Sequence, residues 1–255
     1  MKAKKTILIT GATSGIGKAC AEKFAACGCN IIITGRRIEL LQNLADKLKK
    51  QYNTNVFCSS FDIKEAEQVA MALSTLPAKM KNIDVLINNA GLAVGLNTID
   101  KGIIDDWERM IDTNIKGLLY ISRQVIPMMV ERGKGHIINI GSVAGKEVYM
   151  SGNVYCATKF AVDALTKAMR IDLLEHGIKV TAVNPGAVET EFALVRFKGD
   201  KKAANNVYKG FKPLTGKDIA EVVFYVTNLP DNVNINDVTV TSIAQANATY
   251  FYKKE

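Results

Sequence analysis

Histidine is almost missing from this chain: two among 255 residues. His136 stands at the entrance of an apolar stretch, and His176 precedes Gly177 at a helix end, where partial positive charge is favourable. Neither belongs to a metal-ligand pattern, which argues against a metal-dependent mechanism and against a Ser-His-Asp triad. Cysteine is sparse and badly spaced for cross-links. Cys20, Cys27, Cys29, Cys58 and Cys156 make an odd count without a CxxC pair, so neither a disulfide framework nor a zinc site is expected. Most of them read as small apolar residues, and Cys156 is either that or a reactive thiol. No apolar run approaches the roughly 18 residues of a membrane span. Met1 to Lys5 is basic, but Thr6 to Thr10 is too short for a signal h-region, and a cytoplasmic location is expected. There is no repeat, low-complexity tract or Pro/Gly linker, so one domain over 1–255 is expected.

The charge is lopsided at +8. Lysines and arginines are nonetheless spread along the chain, in short clusters such as Lys2–Lys5, Lys47–Lys50 and Lys198–Lys202. No basic motif interleaved with aromatics is present, so nucleic acid is not an expected partner. The excess suits attraction of anionic small molecules. An apolar content of 48% and a charged content of 23% are ordinary for a globular protein able to bury a core.

Strand and helix patterns alternate along the chain. Strands are expected at Thr6–Thr10, Asn30–Thr34, Val56–Ser60, Asp84–Ile87, His136–Ile140, Val180–Asn184 and Asp237–Val240. Helices are expected at Lys18–Ala26, Ile38–Tyr52, Lys64–Leu76, Asp105–Glu131, Val154–His176 and Lys217–Leu229. This alternation predicts an α/β fold, a Rossmann-type doubly wound parallel sheet of about seven strands with helices on both faces. The span 188–213 lacks a clear strand and is a candidate substrate lid.

Two motifs carry chemistry. Strand Thr6–Thr10 runs into Gly11-Ala12-Thr13-Ser14-Gly15-Ile16-Gly17 and then into a helix. Backbone N–H groups and a helix N-terminus placed this way can hold a pyrophosphate. Further on, Tyr155 and Lys159 stand four residues apart, one helical turn. A free phenol has a pKa near ~10, and a nearby ammonium lowers it toward useful acid–base range.

With these residues the chain resembles the short-chain dehydrogenase/reductase family. Thr10 to Gly17 matches the family's cofactor loop, Asn88-Asn89-Ala90-Gly91 its second signature, and Pro185-Gly186 its later cofactor segment. Asn114, Ser142, Tyr155 and Lys159 match its catalytic tetrad, all in family order over roughly residues 5–240. Within it, Asn88–Gly95, Gly135–Gly145, Gly152–Phe160 and Glu189–Asp200 resemble the NADP-dependent 3-hydroxy acid dehydrogenases, which act on serine, allo-threonine and 3-hydroxypropionate-type compounds.

The resemblance implies an NADP(H)-dependent oxidoreductase, usually a homo-oligomer (tetramer or dimer). Tyr155 would be the acid in reduction and the base in oxidation. Lys159 would hold the nicotinamide ribose and lower the Tyr155 pKa. Ser142 would bind the substrate carbonyl, and Asn114 would bend its helix and hold a water leading from Lys159. Cofactor contacts are implied for Gly11, Thr13, Ser14, Gly15, Ile16 and Gly17, for Asp62, Ile63 and Asn89, and for Pro185, Gly186, Val188 and Thr190.

Several of these have plainer readings. Ser142 and Asn89 are also turn residues, Asn114 a helix-surface polar group, and Asp62 an N-cap for the following helix. Arg36 and Arg37 follow the second strand, where an acid would bind NAD; guanidinium there suits a 2′-phosphate. Arg196 can hold a substrate carboxylate bidentately or be a solvated lid arginine. Rival functions are a reductase of another ketone, aldehyde or 3-oxoacyl chain, and a non-catalytic nucleotide sensor. The ending 239–255 lacks the glycine-rich pattern common in carrier-protein reductases, and the intact tetrad speaks against the sensor.

Overall fold

The structure is a computed structural model describing residues 4–254; Met1 to Ala3, part of the basic start, and Glu255 lie outside the described residues. In chain order the strands are β1 (Thr6–Ile9), β2 (Asn30–Gly35), β3 (Val56–Ser60), β4 (Val85–Asn88), β5 (Gly135–Ile140), β6 (Ile178–Pro185), β7 (Val188–Glu189), β8 (Leu214–Thr215) and β9 (Asp237–Val240). The helices are α1 (Gly15–Ala26), α2 (Ile38–Tyr52), α3 (Ala66–Ser74), α4 (Ile104–Ile111), α5 (Gly117–Glu131), α6 (Asn153–Asp172), α7 (Glu191–Arg196), α8 (Lys201–Asn206) and α9 (Gly216–Thr227).

All four residues of β1 are buried. A strand covered on both faces needs an unbroken apolar run rather than an alternating one, and Thr6-Ile7-Leu8-Ile9 supplies it. β1 pairs in parallel with β2 on one side and β4 on the other. The full sheet has seven strands in the order β3-β2-β1-β4-β5-β6-β9, with every pairing parallel. Side chains alternate between two cores. Ile7, Ile9, Ile31 and Ile33 pack under α1, α2 and α9. Leu8, Ile32 and Ile137 pack on the opposite face, against α3, α5 and α6. The chain leaves β1 and β4 in opposite directions, which opens a crevice at the carboxyl ends of these strands.

The expected helices shift at their ends. α1 begins at Gly15, one turn before the expected Lys18. The helix expected from Lys64 starts at Ala66 and ends at Ser74, because Asp62 Oδ1 takes the Lys64 N–H at 3.1 Å and closes a turn there. The long helix over 105–131 is broken by a π-turn at Asp112–Lys116. The helix expected to reach His176 stops at Asp172, and a short 3₁₀ turn ends at Gly177, φ +67°. The span 188–213 holds α7 and α8, and β7 pairs with β8 just beyond it, so it is not without strand. Among the described residues no helix is long and apolar enough to cross a membrane, and no group of three His, Cys, Asp or Glu could hold a metal ion.

His136 is a core residue of β5. It is 4% exposed, its Nε2 lies 2.8 Å from Thr181 Oγ1, and its Nδ1 has no partner. Burial pushes its pKa down from 6.5 to about 3. Between those values the unfolded chain binds a proton that the folded one refuses, so stability falls as pH drops below 6.5. The share from His136 is about 1.4 kcal/mol per pH unit. Urea unfolding of His136→Gln between pH 7 and 4.5 should therefore show a shallower acid slope than the parent; equal slopes would remove His136 as a source.

Candidate active site

The carboxyl ends of the strands deliver the motif residues to one edge. A cleft of about 370 Å³ opens there, lined by Gly11 to Ile16 except Ala12, by Arg36 and Arg37, and by Ser142, Tyr155 and Lys159. Asp62, Ile63, Asn89, Pro185, Gly186, Val188 and Thr190 line it too. Gly17 and Asn114 lie just behind the wall.

The glycine turn is built by close approach. Gly11 sits at φ +65°, and a Cβ on it would meet Ala90 Cα at 2.9 Å. A Cβ on Gly17 would lie 2.4 Å from Asn89 Nδ2. Asn89 Nδ2 donates to the Thr10 and Gly11 carbonyls at 2.8 and 3.1 Å, and Thr10 Oγ1 accepts from the Asn89 and Ala90 N–H groups. Asn89 therefore clamps the turn, a job its asparagine-turn reading did not contain. The first turn of α1 has no acidic residue, and its N-cap Ser14 makes no side-chain cap. Its free N–H groups and positive dipole end face the cleft, which suits a pyrophosphate.

The two arginines differ. Arg36 has Asp62 as its one acidic partner among the described residues, at 4.0 Å. Arg37 bonds Thr13 Oγ1 at 2.7 Å and Ser14 Oγ at 3.2 Å, and pairs with Glu191 at 3.0 Å across the cleft. Thr190 caps α7, accepting from the Phe192 N–H at 3.2 Å, and its side chain lies against Gly15. A dinucleotide with a 2′-phosphate fits this donor set: an uncapped helix start, two guanidiniums and a glycine-lined floor.

Tyr155 is 8% exposed, and Phe192 packs on its ring at 5.7 Å. Burial pushes its phenol above the ordinary value; the Ser142 hydroxyl and the Arg196 charge pull it back in part. The expected lowering by Lys159 is not found. Lys159 is itself buried, its Nζ donates to Ile140 O at 2.9 Å, and burial lowers it to about 8. The ammonium serves a strand-end carbonyl rather than the phenol. Ser142 Oγ accepts from Ala144 N at 3.1 Å, and its hydroxyl proton is directed at the Tyr155 oxygen, where it favours the phenolate.

Asn114 is not a surface residue. It is 2% exposed and bonds both polar groups of Leu92, each at 2.8 Å, and Thr158 Oγ1 at 3.0 Å. The π-turn inserts the extra residue that turns it inward. A Cβ on Gly91 would lie 3.2 Å from Asn114 Oδ1 and 3.7 Å from Lys159 Nζ, so these two side chains share one narrow space. Cys156 is buried at 1%, as packing rather than an open thiol.

Arg196 is not among the cleft-lining residues; it lies beside the phenol. Its guanidinium carbon lies 5.5 Å from the Tyr155 ring centre and 5.3 Å from that of Tyr149. Its Nε is buried without a partner, and no carboxylate lies within 4.0 Å of it among the described residues. Its competitors are engaged: Lys198 with buried Asp106 at 2.7 Å, and Lys146 with Asp163 and Asp237 at 2.6 and 2.7 Å. Sequence reasoning placed Thr10 in the cofactor loop without its role as acceptor for the Asn89 turn, and it gave Tyr149, Asp106 and Glu191 no role.

The fold and this constellation define a nucleotide-dependent oxidoreductase, and comparison with known proteins agrees. Residues 5–200 match the short chain dehydrogenase model, and the chain belongs to that family. It is 46% identical over 241 residues to the NADP-dependent 3-hydroxy acid dehydrogenase YdfG of Salmonella typhi, covering 94% of this chain and 96% of that one. It is 41% identical over 250 residues to serine 3-dehydrogenase of Rhizobium radiobacter, covering 98% of each. Among solved structures it superposes on a closed form of serine dehydrogenase complexed with NADP+ with a TM-score of 0.91 at 43% identity, covering 98% of this chain and 100% of that one.

Proposed function

We propose that the protein is an NADP(H)-dependent oxidoreductase that interconverts 3-hydroxy acids of the serine, allo-threonine and 3-hydroxypropionate type with 3-oxo acids or semialdehydes. The observation that carries the substrate class is Arg196, an acid-free guanidinium 5.5 Å from the Tyr155 ring. A carboxylate needs a fixed cation beside the reacting carbon, and a planar guanidinium binds it through two parallel bonds.

The dinucleotide, when bound, supplies or accepts the hydride at its nicotinamide ring. Gly11 to Gly17 and the α1 N-terminus bind its pyrophosphate, Arg36 and Arg37 its 2′-phosphate, and Pro185 to Thr190 the nicotinamide end. Ser142 turns its hydroxyl from the Tyr155 oxygen to hydrogen-bond the substrate oxygen and fixes the carbon's orientation. Tyr155 gives that oxygen a proton in reduction and takes one in oxidation. The raised phenol keeps the proton in hand at neutral pH, so the acid role needs no prior step, whereas the base role favours alkaline pH. Phe192 and α7 cover the phenol and exclude water. Residues 1–255 form one domain, with the lid at 188–213. A homo-oligomer accounts for Ile104, Leu119 and Phe160 left exposed on α4, α5 and α6; sedimentation at monomer mass would refute it.

The direct test is absorbance of reduced nicotinamide with NADP+ and a panel of 3-hydroxy acids and neutral alcohols. Preference for the acids supports the reading; equal or better use of neutral alcohols overturns it. The cofactor choice has its own test. Arg36→Asp combined with Arg37→Ile should weaken NADP+ by about tenfold to hundredfold, the loss of one charge-assisted contact, and leave NAD+ nearly unchanged. Arg36 should carry the larger part, since Arg37 must first give up Glu191. Equal kinetic constants for the two cofactors in the parent would contradict this.

A further inference from the structure

After β9 the chain does not leave the molecule; it folds back on the cleft. Gln245 reaches deepest, at 4% exposure. Its Oε1 accepts from the Ala187 N–H at 2.8 Å, and its Nε2 donates to Asn247 O at 3.0 Å. A Cβ on Gly186 would stand 2.2 Å from that Oε1, so glycine at 186 is what lets the amide in. β6 ends at Pro185, and the Ala187 N–H lies past the last ladder bond. Without Gln245 it would be an unpaired amide in the cleft wall, a costly arrangement.

The rest of the tail touches two other walls. Gln245 and Phe251 form an antiparallel bridge, closed by Ala246 N–H to Tyr250 O at 3.1 Å and Tyr252 N–H to Ala244 O at 2.8 Å. This small hairpin packs Phe251 on Phe211 at 5.1 Å, and the Lys254 N–H donates to Gly210 O at 2.7 Å. The Ala248 N–H donates to Glu147 Oε2 at 3.1 Å, on the loop that follows Ser142.

We infer that Gln245 is a positioning residue for cofactor binding: it fixes the Pro185–Gly186–Ala187 wall, and the hairpin that carries it ties that wall to residues 210–211 of the lid and to the Ser142 loop. The inference rests on the reading of residues 185–190 as the nicotinamide segment. It assigns no chemistry to Gln245, which touches no reacting atom. Its effect therefore belongs in cofactor affinity, not in the proton step.

The test uses Gln245→Met, which keeps the volume and loses the acceptor, and Gly186→Ala, which blocks the amide with a methyl group and changes no polar atom. Calorimetric titration with NADP+ should give Kd values at least tenfold above the parent for each. The double variant should be no more than threefold worse than either single one, because both break the same contact. Hydrogen exchange, measured without cofactor, should rise at least tenfold at the Ala187 amide and stay unchanged in β1 and β5. With saturating NADP+, the KM of Gln245→Met for the acid should stay within twofold. Parent-like Kd values, independent losses that multiply in the double variant, or unchanged exchange at Ala187 would overturn the inference. If Gln245→Met does not fold, Gly186→Ala decides alone by the exchange measurement. A parent that fails to bind NADP+ counts against the proposed function, while the exchange arm still judges Gln245.

Discussion

Tyr155→Phe is expected to lower turnover by about 10²–10⁴-fold, the range a positioned general acid contributes, while NADP+ binding is retained. The change removes one oxygen and little else. Phe192 still has a ring to pack on, at 5.7 Å, and Arg196 still stands over an aromatic face. Cysteine and valine neighbours of α6 keep their burial. What disappears is the Ser142-supported hydroxyl, to which the proposed function assigns the proton exchange with the substrate oxygen. The parent gives a second signature. Because burial raises the phenol, its oxidation rate should climb with pH across the alkaline range, and the residual rate of the variant should not. Initial rates by nicotinamide absorbance from pH 6 to 10.5 read both effects. Near-parent activity in the phenylalanine variant would remove Tyr155 as the proton carrier.

How much of this was legible in the sequence depends on distance along the chain. β1, the glycine turn and α1 form a contiguous unit, and local pattern placed it within one helical turn. Tyr155 and Lys159 were found as a pair because helical spacing is local. Their interaction was not, since it depends on burial and on the Ile140 carbonyl, which belongs to another strand. For Asn114 only the family resemblance implied a bent helix; periodicity alone left it on the helix surface, because it is blind to a π-turn, where one added residue rotates the face inward. Arg37 and Glu191 are 154 positions apart, and nothing near either one announces the other. Lys198 and Lys146 carry the same charge as Arg196 in the sequence, and only the fold gives them Asp106, Asp163 and Asp237 as partners. Charge in a sequence is unassigned until the fold chooses partners.

Arg196→Leu is expected to raise the KM for 3-hydroxy acids and to leave neutral secondary alcohols nearly unchanged. The cost of losing a desolvated, charge-assisted contact is about 2–4 kcal/mol, or roughly 30- to 1000-fold in the acid-to-alcohol ratio of kcat/KM. Position makes the effect selective. Arg196 ends α7, its carbonyl accepts from the Gly95 N–H at 3.0 Å, and its guanidinium lies over the Tyr149 and Tyr155 rings. Leucine keeps the backbone bond and stays apolar beneath the rings. It removes only the charge and the donors. That same charge lowers the Tyr155 phenol, so the variant should also move the alkaline climb of the oxidation rate to higher pH, for acids and alcohols alike. The two readouts separate binding from acid–base chemistry: the substrate ratio reports the carboxylate contact, and the pH shift reports proximity to the phenol. Rates for L-serine and for a neutral secondary alcohol, in parent and variant, supply both. An unchanged ratio with a shifted pH profile would leave Arg196 beside Tyr155 but take the carboxylate away from it. The cation would then have to be Lys198 or Lys146, released from its acidic partners, or the contact a backbone donor.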